Sequence, residues 1–476
     1  MLAAGSGSRF GGGKLLAPVG GRPVLQHVLD RLTSAGLGEV VVVLGDDAEV
    51  IQAAVEWGSA RRVRNPDPGR GLASSLQVGM AALDATAGDG TSGGDGTSRG
   101  PDAVLIVLGD QPFLPSDAVR AILDAPLDAG RPIVVPVYPD DRGRNPVLIG
   151  RAAFGLVGEA TGDRGLGPLL AAHRSLVREI PVSGENPDVD TRADLVRLLE
   201  ARWAARVREN REQVDRHREV PDGADFYAPV TSLFRADPNR TDEPALEVLR
   251  SLVRPGETWL DIGAGAGRYA LPIAAALAPS GGSVIALDAS RGMLEGLREI
   301  AAEHGIGNVS VIEGRWPPDD PGAFRADVSL IAHVSYDIEA IGAFVAAMEA
   351  ATRRLGVAVL MERQPSSVAD VCWPPVHGEA RVSLPALPDF VELLAAMGRE
   401  PKVRRLEREP RRFGDRAELE GFLRRQLWIE PGGAKDAIFR AELDELVVSD
   451  AQGRVGLRDQ APMPIGIVTW DPATRR

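Results

Sequence analysis

The stretch from Leu2 to Lys14 reads LAAGSGSRFGGGK. Glycines at positions 5, 7, 11, 12 and 13 surround Arg9, and Lys14 closes the run. Without Cβ atoms the backbone can curl tightly and turn its N–H groups toward one point, and a ligand can approach the main chain closely. Arg9 and Lys14 add positive charge there, so the loop suits a polyphosphate. Read by composition alone, the same glycines describe a floppy N-terminus. A phosphate loop of this kind belongs after a central strand of an open sheet, yet only Met1 and Leu2 precede this one. Either the start lies upstream of this sequence or the domain opens on a truncated strand, and the sequence leaves both open.

The chain beyond the loop alternates helix and strand periods. Pro23 to Leu32 places Val24, Leu25, Val28, Leu29 and Leu32 at helical spacing, with proline suited to a first turn. Glu39 to Leu44 is a β-branched run closed by Gly45, and Ala48 to Val55 reads as a helix again. This alternation predicts a parallel sheet covered by helices. A turn then feeds a helix starting near Leu72, with Ser74 and Ser75 in its first turn, where the hydroxyls either cap the helix or meet a ligand. The sequence GDGTS occurs twice between Asp84 and Pro101, as a flexible surface insertion whose Asp89 and Asp95 lack the later bidentate glutamate of a calcium loop.

Ala103 to Leu108 (AVLIVL) has the unbroken apolar character of a buried parallel strand and runs into Gly109-Asp110-Gln111-Pro112. Open α/β sheets bind ligands beyond the carboxyl ends of central strands, so Asp110 is the leading magnesium ligand; capping the following helix is the alternative. A Mg²⁺ shell of carboxylate, phosphate and water wants a second acid. Asp190 and Asp188, in NPDVDTRADL, are the candidates, with helix capping again the competing role for Asp190.

At 476 residues the chain is too long for one ordinary core, and two or three domains are expected. A formal charge of −13 disfavours attraction to phosphate backbones, so nucleic acid is not the expected partner. The single cysteine, Cys372, excludes an internal disulfide and a CxxC zinc site, which fits a reducing cytoplasm. No signal peptide is seen, and the apolar run Tyr269 to Ala278 is too short to span a bilayer, so no membrane partner is expected either.

Ala193 to Val207 continues a helical face through Leu195, Leu198, Leu199 and Trp203, and the polar, arginine-rich Glu209 to Arg218 reads as a solvated helix or linker. The stretch Asp225 to Pro244 either covers the pocket behind it or packs the domain edge. A strand, Thr258 to Ile262, then enters Asp261-Ile262-Gly263-Ala264-Gly265-Ala266-Gly267, followed by a helix to Leu277. Strand, glycine turn and helix form the context of a dinucleotide-type fingerprint. A second strand, Ser283 to Leu287, ends at Asp288, where an acid can hold ribose hydroxyls. Together these argue for a nucleoside ligand, NAD or S-adenosylmethionine. Asp261 discriminates: it would repel a pyrophosphate and attract a sulfonium or ammonium group.

The opening loop resembles the signature of the MobA-like nucleotidyltransferases, LAAG, a small residue, Arg-Phe-Gly, then Lys. The resemblance implies nucleotide contacts at Leu2, Ala3, Ala4, Gly5, Gly7 and Lys14, and at Gly71, Ser74 and Ser75 of the Gly-Leu-x-x-Ser-Leu stretch. Arg144-Asn145-Pro146 and TGDRGLGPLL match acceptor-side elements of the family, with Gly162, Asp163 and Gly165 retained but Gly167 standing where the family often carries an arginine. Within the superfamily the chain is most similar to molybdenum cofactor cytidylyltransferases. Ala4, where guanylyl-transferring relatives have glycine, implies CTP as donor. The second half resembles class I S-adenosylmethionine-dependent methyltransferases: an acid before Gly-x-Gly-x-Gly, Val309 to Glu313 with Arg315 and Trp316 as adenine-contact loop, and Ala326 to Ile331 with Ala332 and His333 at its substrate-facing end. His333 is either a catalytic base or a structural histidine. No Asn-Pro-Pro-Tyr tetrad follows, so methylation of flipped DNA bases is not supported. Cys372-Trp373-Pro374-Pro375 looks like acceptor-side decoration, and Pro464 to Trp470 a last strand.

These readings combine into two Rossmann-like three-layer α/β/α domains with mostly parallel sheets, residues 1–200 and 201–476. The expected function is Mg²⁺-dependent transfer from CTP to a phosphorylated acceptor, molybdopterin, with Lys14, Arg9 and Asp110 catalytic, plus methylation of a small molecule. A molybdoenzyme receiving the cofactor is the implied protein partner. A sugar or alcohol phosphate acceptor, or a non-catalytic sensor of CTP and S-adenosylmethionine, are the alternatives.

Overall fold

The computed structural model describes residues 1–85, 100–139, 143–221 and 235–473, which divide into two units, Met1–Leu195 and Val196–Arg476. The duplicated GDGTS segment with Asp89 and Asp95 lies outside the described residues, as does the first half of the Asp225 to Pro244 stretch.

The first unit is a sheet that turns back on itself at its centre. Strand β1 (Leu2–Ala3) pairs in parallel with β2 (Val41–Leu44), which pairs in parallel with β3 (Arg61–Arg64). On its other side Leu2 donates its amide to Val107 O at 2.8 Å, and Gly109 donates to Leu2 O at 2.8 Å. The chain leaving β4 (Ala103–Ile106) therefore runs parallel beside β1. Strands β5 (Ile133–Val137), β6 (Val147–Gly150) and β7 (Val177–Pro181) complete the order β3-β2-β1-β4-β6-β5-β7. The strand order reverses between β1 and β4, and at such a point the loops diverge and leave a crevice. The glycine loop follows β1 and Asp110 follows β4, so both open into it.

The expected buried parallel strand Ala103 to Leu108 is corrected in two respects. Its regular pairing ends at Ile106, and its neighbour β6 is antiparallel. An unbroken apolar run reports that both faces are covered and says nothing of a neighbour's direction.

Helix α1 (Val24–Ser34) buries Val24, Leu25, Val28, Leu29 and Leu32 against this sheet, each side chain contributing about 1.5–3 kcal/mol. A Cβ on Gly109 would sit 2.8 Å from Leu25 Cδ1 and 3.2 Å from Leu2 O, so glycine is what lets the chain pass close enough to aim the next residue, Asp110, into the crevice. Helices α2 (Ala48–Ala54), α3 (Leu72–Ala85) and α4 (Ser116–Leu123) cover the remaining strands.

Helix α5 (Arg192–His217) begins before the unit boundary and continues past it. Its polar half is less solvated than its composition suggests. Asn210 donates to Val382 O at 2.6 Å, and Gln213 donates to Ala380 O and accepts from Val382 N, each at 2.8 Å. These buried amides serve an extended segment that has no strand beside it, a use that residue polarity alone does not reveal.

In the second unit, helix α6 (Pro244–Leu252) precedes β8 (Thr258–Ile262). Helix α7 (Ala270–Leu277), β9 (Ser283–Asp288), α8 (Arg291–Glu303), β10 (Val309–Glu313), β11 (Ala326–Ala332), α9 (Ile341–Ala351) and β12 (Thr352–Met361) follow. Strand order is β10-β9-β8-β11-β12-β14-β13, with β13 at Lys402–Leu406 and β14 at Ile465–Trp470. The first five strands are parallel. The expected last strand is β14, inserted antiparallel between β12 and β13. Strand order reverses between β8 and β11, which places this unit's crevice above the glycine turn after β8.

The Cys372 to Pro375 stretch, expected as acceptor-side decoration, splits: its first two residues are core and Pro374 and Pro375 are exposed. Cys372 and Trp373 are fully buried in a separate apolar cluster with α10 (Arg416–Leu427) and α11 (Ala434–Leu446).

Candidate functional sites

Gly7, Gly11, Gly12 and Gly13 all take left-handed backbone conformations, with φ of 57°, 92°, 94° and 67°. The loop closes on itself through Phe10 N and Gly12 N, which donate to Gly7 O at 3.0 and 3.1 Å, and Gly11 N, which donates to Ser8 O at 3.2 Å. None of these bonds uses the amides of Gly5 to Gly7. Phe10 is buried and Arg192 lies over its ring at 5.6 Å, anchoring one side of the loop.

Lys14 reaches across the crevice. Its Nζ lies 2.6 Å from Asp110 Oδ2 and 3.3 Å from Asp190 Oδ1, and Arg9 pairs with Asp190 Oδ2 at 3.0 Å. Burial disfavours the ammonium, but the Asp110 and Asp190 carboxylates outweigh it and hold Lys14 above the usual lysine range. Val189 N donates to Asp110 O at 3.0 Å, with the Val189 side chain fully buried. That contact brings Asp188 and Asp190, on either side of Val189, up to Asp110. Asp188 accepts from Gln111 Nε2 at 2.7 Å, and desolvation together with the Asp110 charge pushes its carboxyl up to about 6. Asp110 Oδ1 is buried and has no hydrogen-bond partner among the described residues.

In the second unit, the turn after β8 is held from beneath. Gly263 N and Ala264 N donate to Leu287 O at 2.7 and 3.0 Å, and Gly265 N donates to Asp288 Oδ2 at 2.8 Å. Asp288 Oδ1 accepts from Ser290 N at 2.8 Å, and Ser290 caps α8 by accepting from Met293 N. Gly263 has φ 76°, and a Cβ there would meet Val334 Cγ2 at 2.5 Å. Asp261 is buried with Oδ1 unpartnered, and desolvation plus the Asp288 charge push its carboxyl up to about 7.

A family model described as MobA-like NTP transferase domain matches residues 1–177, and one described as methyltransferase domain matches residues 260–356. The bifunctional protein GlmU of Sphingopyxis alaskensis is 36% identical over 137 residues, 28% of this chain and 27% of that protein. This chain thus spans about a quarter of the length of the GlmU proteins it matches. Nicotine blue oxidoreductase of Paenarthrobacter nicotinovorans is 30% identical over 220 residues, 42% of this chain and 94% of that one. The chain belongs to the MobA-like NTP transferase family and carries a methyltransferase domain as well. The crystal structure of Rv0371c from Mycobacterium tuberculosis is also similar, at 31% identity, TM-score 0.35, 42% of this chain and 95% of that chain.

In the NTP transferase domain the structure brings together Arg9, Lys14, Asp110, Asp188 and Asp190, all proposed from sequence. Leu2 and Ala3 form β1 itself, Ala4 is buried at its end, and Gly5 and Gly7 begin the loop. The Ser74 and Ser75 hydroxyls are both buried and accept from Asn65 Nδ2, at 2.8 and 2.9 Å. The Ser74 hydroxyl also lies 2.9 Å from Gly71 O and 3.1 Å from Asp67 O. In these bonds they fasten the turn before α3. Asn65, missed in the sequence reading, is the hub of that network, and its place just after β3 was the available signal. Gly71 allows close approach, since a Cβ there would sit 2.6 Å from Asp163 Oδ1 and 2.7 Å from Gly162 C. The retained Gly162-Asp163 pair thereby packs against the start of α3, where Ala73 N donates to Gly162 O at 3.1 Å.

In the methyltransferase domain, Asp261, Gly263, Gly265, Gly267 and Asp288 surround one turn. Asp288 already serves two backbone amides, so its first task is to hold the glycine turn in shape. Arg315 is exposed, while Trp316 donates its indole N–H to Phe344 O at 3.3 Å and packs edge-on to Phe324. Ala332 ends β11, and His333 follows with φ 59°. The His333 Nδ1 lies 3.3 Å from Tyr336 Oη. Burial and the Arg408 and Arg268 charges lower its pKa to about 4, so the ring is neutral at ordinary pH.

Proposed function

We propose that the chain is a bifunctional transferase, moving a nucleotidyl group at the first crevice and a methyl group at the second. The observation that carries the first half is the Lys14 ammonium, 2.6 Å from Asp110, beside a loop of left-handed glycines. A nucleoside triphosphate suits this arrangement: loop amides take its oxygens, and Lys14 and Arg9 neutralise charge that grows on the leaving pyrophosphate. The residues present also fit a divalent cation. Asp110 Oδ1 is buried and unpartnered, and Asp188 is driven toward its neutral form by burial first and then by the Asp110 and Asp190 charges, whose repulsion a cation would relieve. Among the described residues no group of three or more acidic, histidine or cysteine side chains forms a ready cage. Mg²⁺ needs none, because substrate phosphates and water supply most of its shell. When bound, it supplies positive charge at the triphosphate. Asp110, with Asp188 or Asp190, would hold it.

CTP as donor and molybdopterin as acceptor are the specific form of this reading, supported by Ala4 and by the matching Arg144-Asn145-Pro146 and Gly162-Asp163 elements. A cytoplasmic setting, with a molybdoenzyme receiving the product, goes with it. For the second crevice, Asp261 fits S-adenosylmethionine: its buried, unpartnered oxygen favours a cationic ligand, and Gly263 and Gly265 leave the turn bare. When bound, S-adenosylmethionine supplies an activated methyl group. The chain's residues hold it and align the acceptor.

A second reading of the first crevice is favoured by one finding, the 30% identity to a protein named nicotine blue oxidoreductase, of which this chain covers 94%. The two readings separate in one assay. Incubation with each NTP, Mg²⁺ and molybdopterin or a sugar phosphate should release pyrophosphate, most with CTP and the pterin. Release only with the sugar phosphate would move the acceptor class, and oxidation of a reduced nicotinamide dinucleotide without pyrophosphate would support the redox reading. Labelled S-adenosylmethionine and a product mass shift report on the second crevice.

A further inference from the structure

We propose that the acceptor methylated at the second crevice is a small organic anion, a carboxylate or phosphate ester, gripped by Arg268, Arg408 and Arg411. The inference rests on the methyltransferase reading and deepens it by naming the chemical class of the acceptor.

The sheet register places these residues. Tyr336 Oη accepts from Met361 N at 2.7 Å and stands 3.3 Å from His333 Nδ1, so His333 and Tyr336 cover the carboxyl ends of β11 and β12. Val334 abuts the bare Gly263, which puts this pair next to the glycine turn that would hold the methyl donor. Leu406 pairs with Ile465, and Ile465 pairs with Met361. The chain leaving β13 therefore emerges at the same edge of the sheet, and it carries Arg408 and Arg411. Arg411 lies over the rings of Phe413 and Phe422 at 4.9 and 4.6 Å, which fixes its guanidinium in place. Arg268 comes from the other side, just beyond the glycine turn, and lies 5.9 Å from the Tyr269 ring.

The charge around His333 does not balance. Glu243 accepts from Tyr269 Oη at 2.7 Å, from Arg268 at 2.8 Å and from Arg240 at 2.7 Å, so one carboxylate is divided among two cations and a hydroxyl. Arg408 and Arg411 form no ion pair among the described residues; Glu418 reaches Arg411 only through space. Burial, then the Arg408 and Arg268 charges, pull the Arg411 guanidinium below its usual range. The same two arginines bear on His333, which stays neutral and adds no charge of its own. Arginines that repel one another beside a neutral imidazole and a phenol are relieved by one anion, and the planar guanidinium suits a carboxylate or a phosphate alike.

Calorimetry on the full chain saturated with S-adenosylhomocysteine tests this, with benzoate and phenyl phosphate as probes. At least one should bind saturably to the unaltered protein, the tighter one identifying the anion, and the Arg408→Ala/Arg411→Ala double variant should bind it at least tenfold more weakly. Arg408 is exposed and Arg411 reaches the surface across the Phe413 and Phe422 rings, so the variant should fold, and its affinity for S-adenosylhomocysteine should stay within twofold. Arg411→Lys should restore less than half of the loss if paired guanidinium donors matter. Equal binding by the unaltered protein and the double variant, or no saturable binding of either probe, overturns the inference. Failure of the unaltered protein to bind S-adenosylhomocysteine overturns the methyltransferase reading itself.

Discussion

The two glycine turns use one backbone device for opposite charges. After β1, left-handed glycines are flanked by Arg9 and Lys14; after β8, left-handed glycines are flanked by Asp261 and Asp288. Glycine decides how closely a ligand can approach, and the flanking side chains decide which charge it carries. The carboxylates differ as well. Asp110 and Asp190 are matched by Lys14 and Arg9, whereas Asp261 is buried beside another acid with one oxygen unpartnered. The first crevice holds its ionic partners in advance, and the second is left with an uncompensated acid that a cationic ligand would satisfy.

The largest break in this comparison should come from Asp110→Asn. Pyrophosphate release should fall by about a thousandfold or more, in line with the loss of a charged group facing developing charge. Circular dichroism and the melting temperature should be unchanged within a few degrees. Next comes the charge contrast itself. Lys14→Ala should weaken NTP binding roughly a hundredfold, the size expected for a desolvated charge-assisted contact, and leave S-adenosylmethionine binding untouched when both are titrated in the same preparation.

Asp261→Asn sharpens the contrast through pH. The folded pKa of Asp261 is raised to about 7, above its ordinary value, so ionisation is harder in the folded protein than in the unfolded chain. Its contribution to stability is neutral below the ordinary carboxylate range and becomes unfavourable as pH rises toward 7 and beyond. The ligand-free Asn variant should therefore melt higher than the unaltered protein at pH 8 and equally at pH 3.5 to 4. S-adenosylmethionine affinity should rise from pH 6 to 8 in the unaltered protein and stay flat in the variant, about tenfold weaker at pH 8.

The smallest effect is expected from Ser75→Ala. Removing one acceptor of Asn65 should cost about 1 kcal/mol by denaturant titration and change NTP affinity less than twofold. A tenfold loss of affinity would return Ser75 to the ligand.

Much of both sites was legible because charge and glycine spacing are written locally. The Gly-rich turns, Asp110 and Asp261 each lie within a few residues of the strand end that aims them, and Lys14 closes the first of those turns. Less visible was whatever depends on partners distant in sequence. The Asn65 network joins the end of β3 to the start of α3, and the antiparallel neighbour of β4 comes from beyond residue 146. The buried amides of Asn210 and Gln213 serve a segment some 170 residues away, so polarity alone placed them in solvent. Likewise Arg408 and Arg411 reach the second crevice only because β14 inserts antiparallel between β12 and β13 and leaves β13 running parallel to β12, an insertion that strand periodicity does not disclose.

The central claim is that the cationic glycine cup and the Asp110 carboxylate act on one nucleotide. Titrating CTP into the unaltered protein and into Asp110→Asn, each with and without Mg²⁺, tests it without knowledge of the acceptor. Mg²⁺ should tighten CTP at least tenfold in the unaltered protein and have little effect in the variant. Equal tightening in both would show that the carboxylate at position 110 plays no part in holding the metal–nucleotide complex.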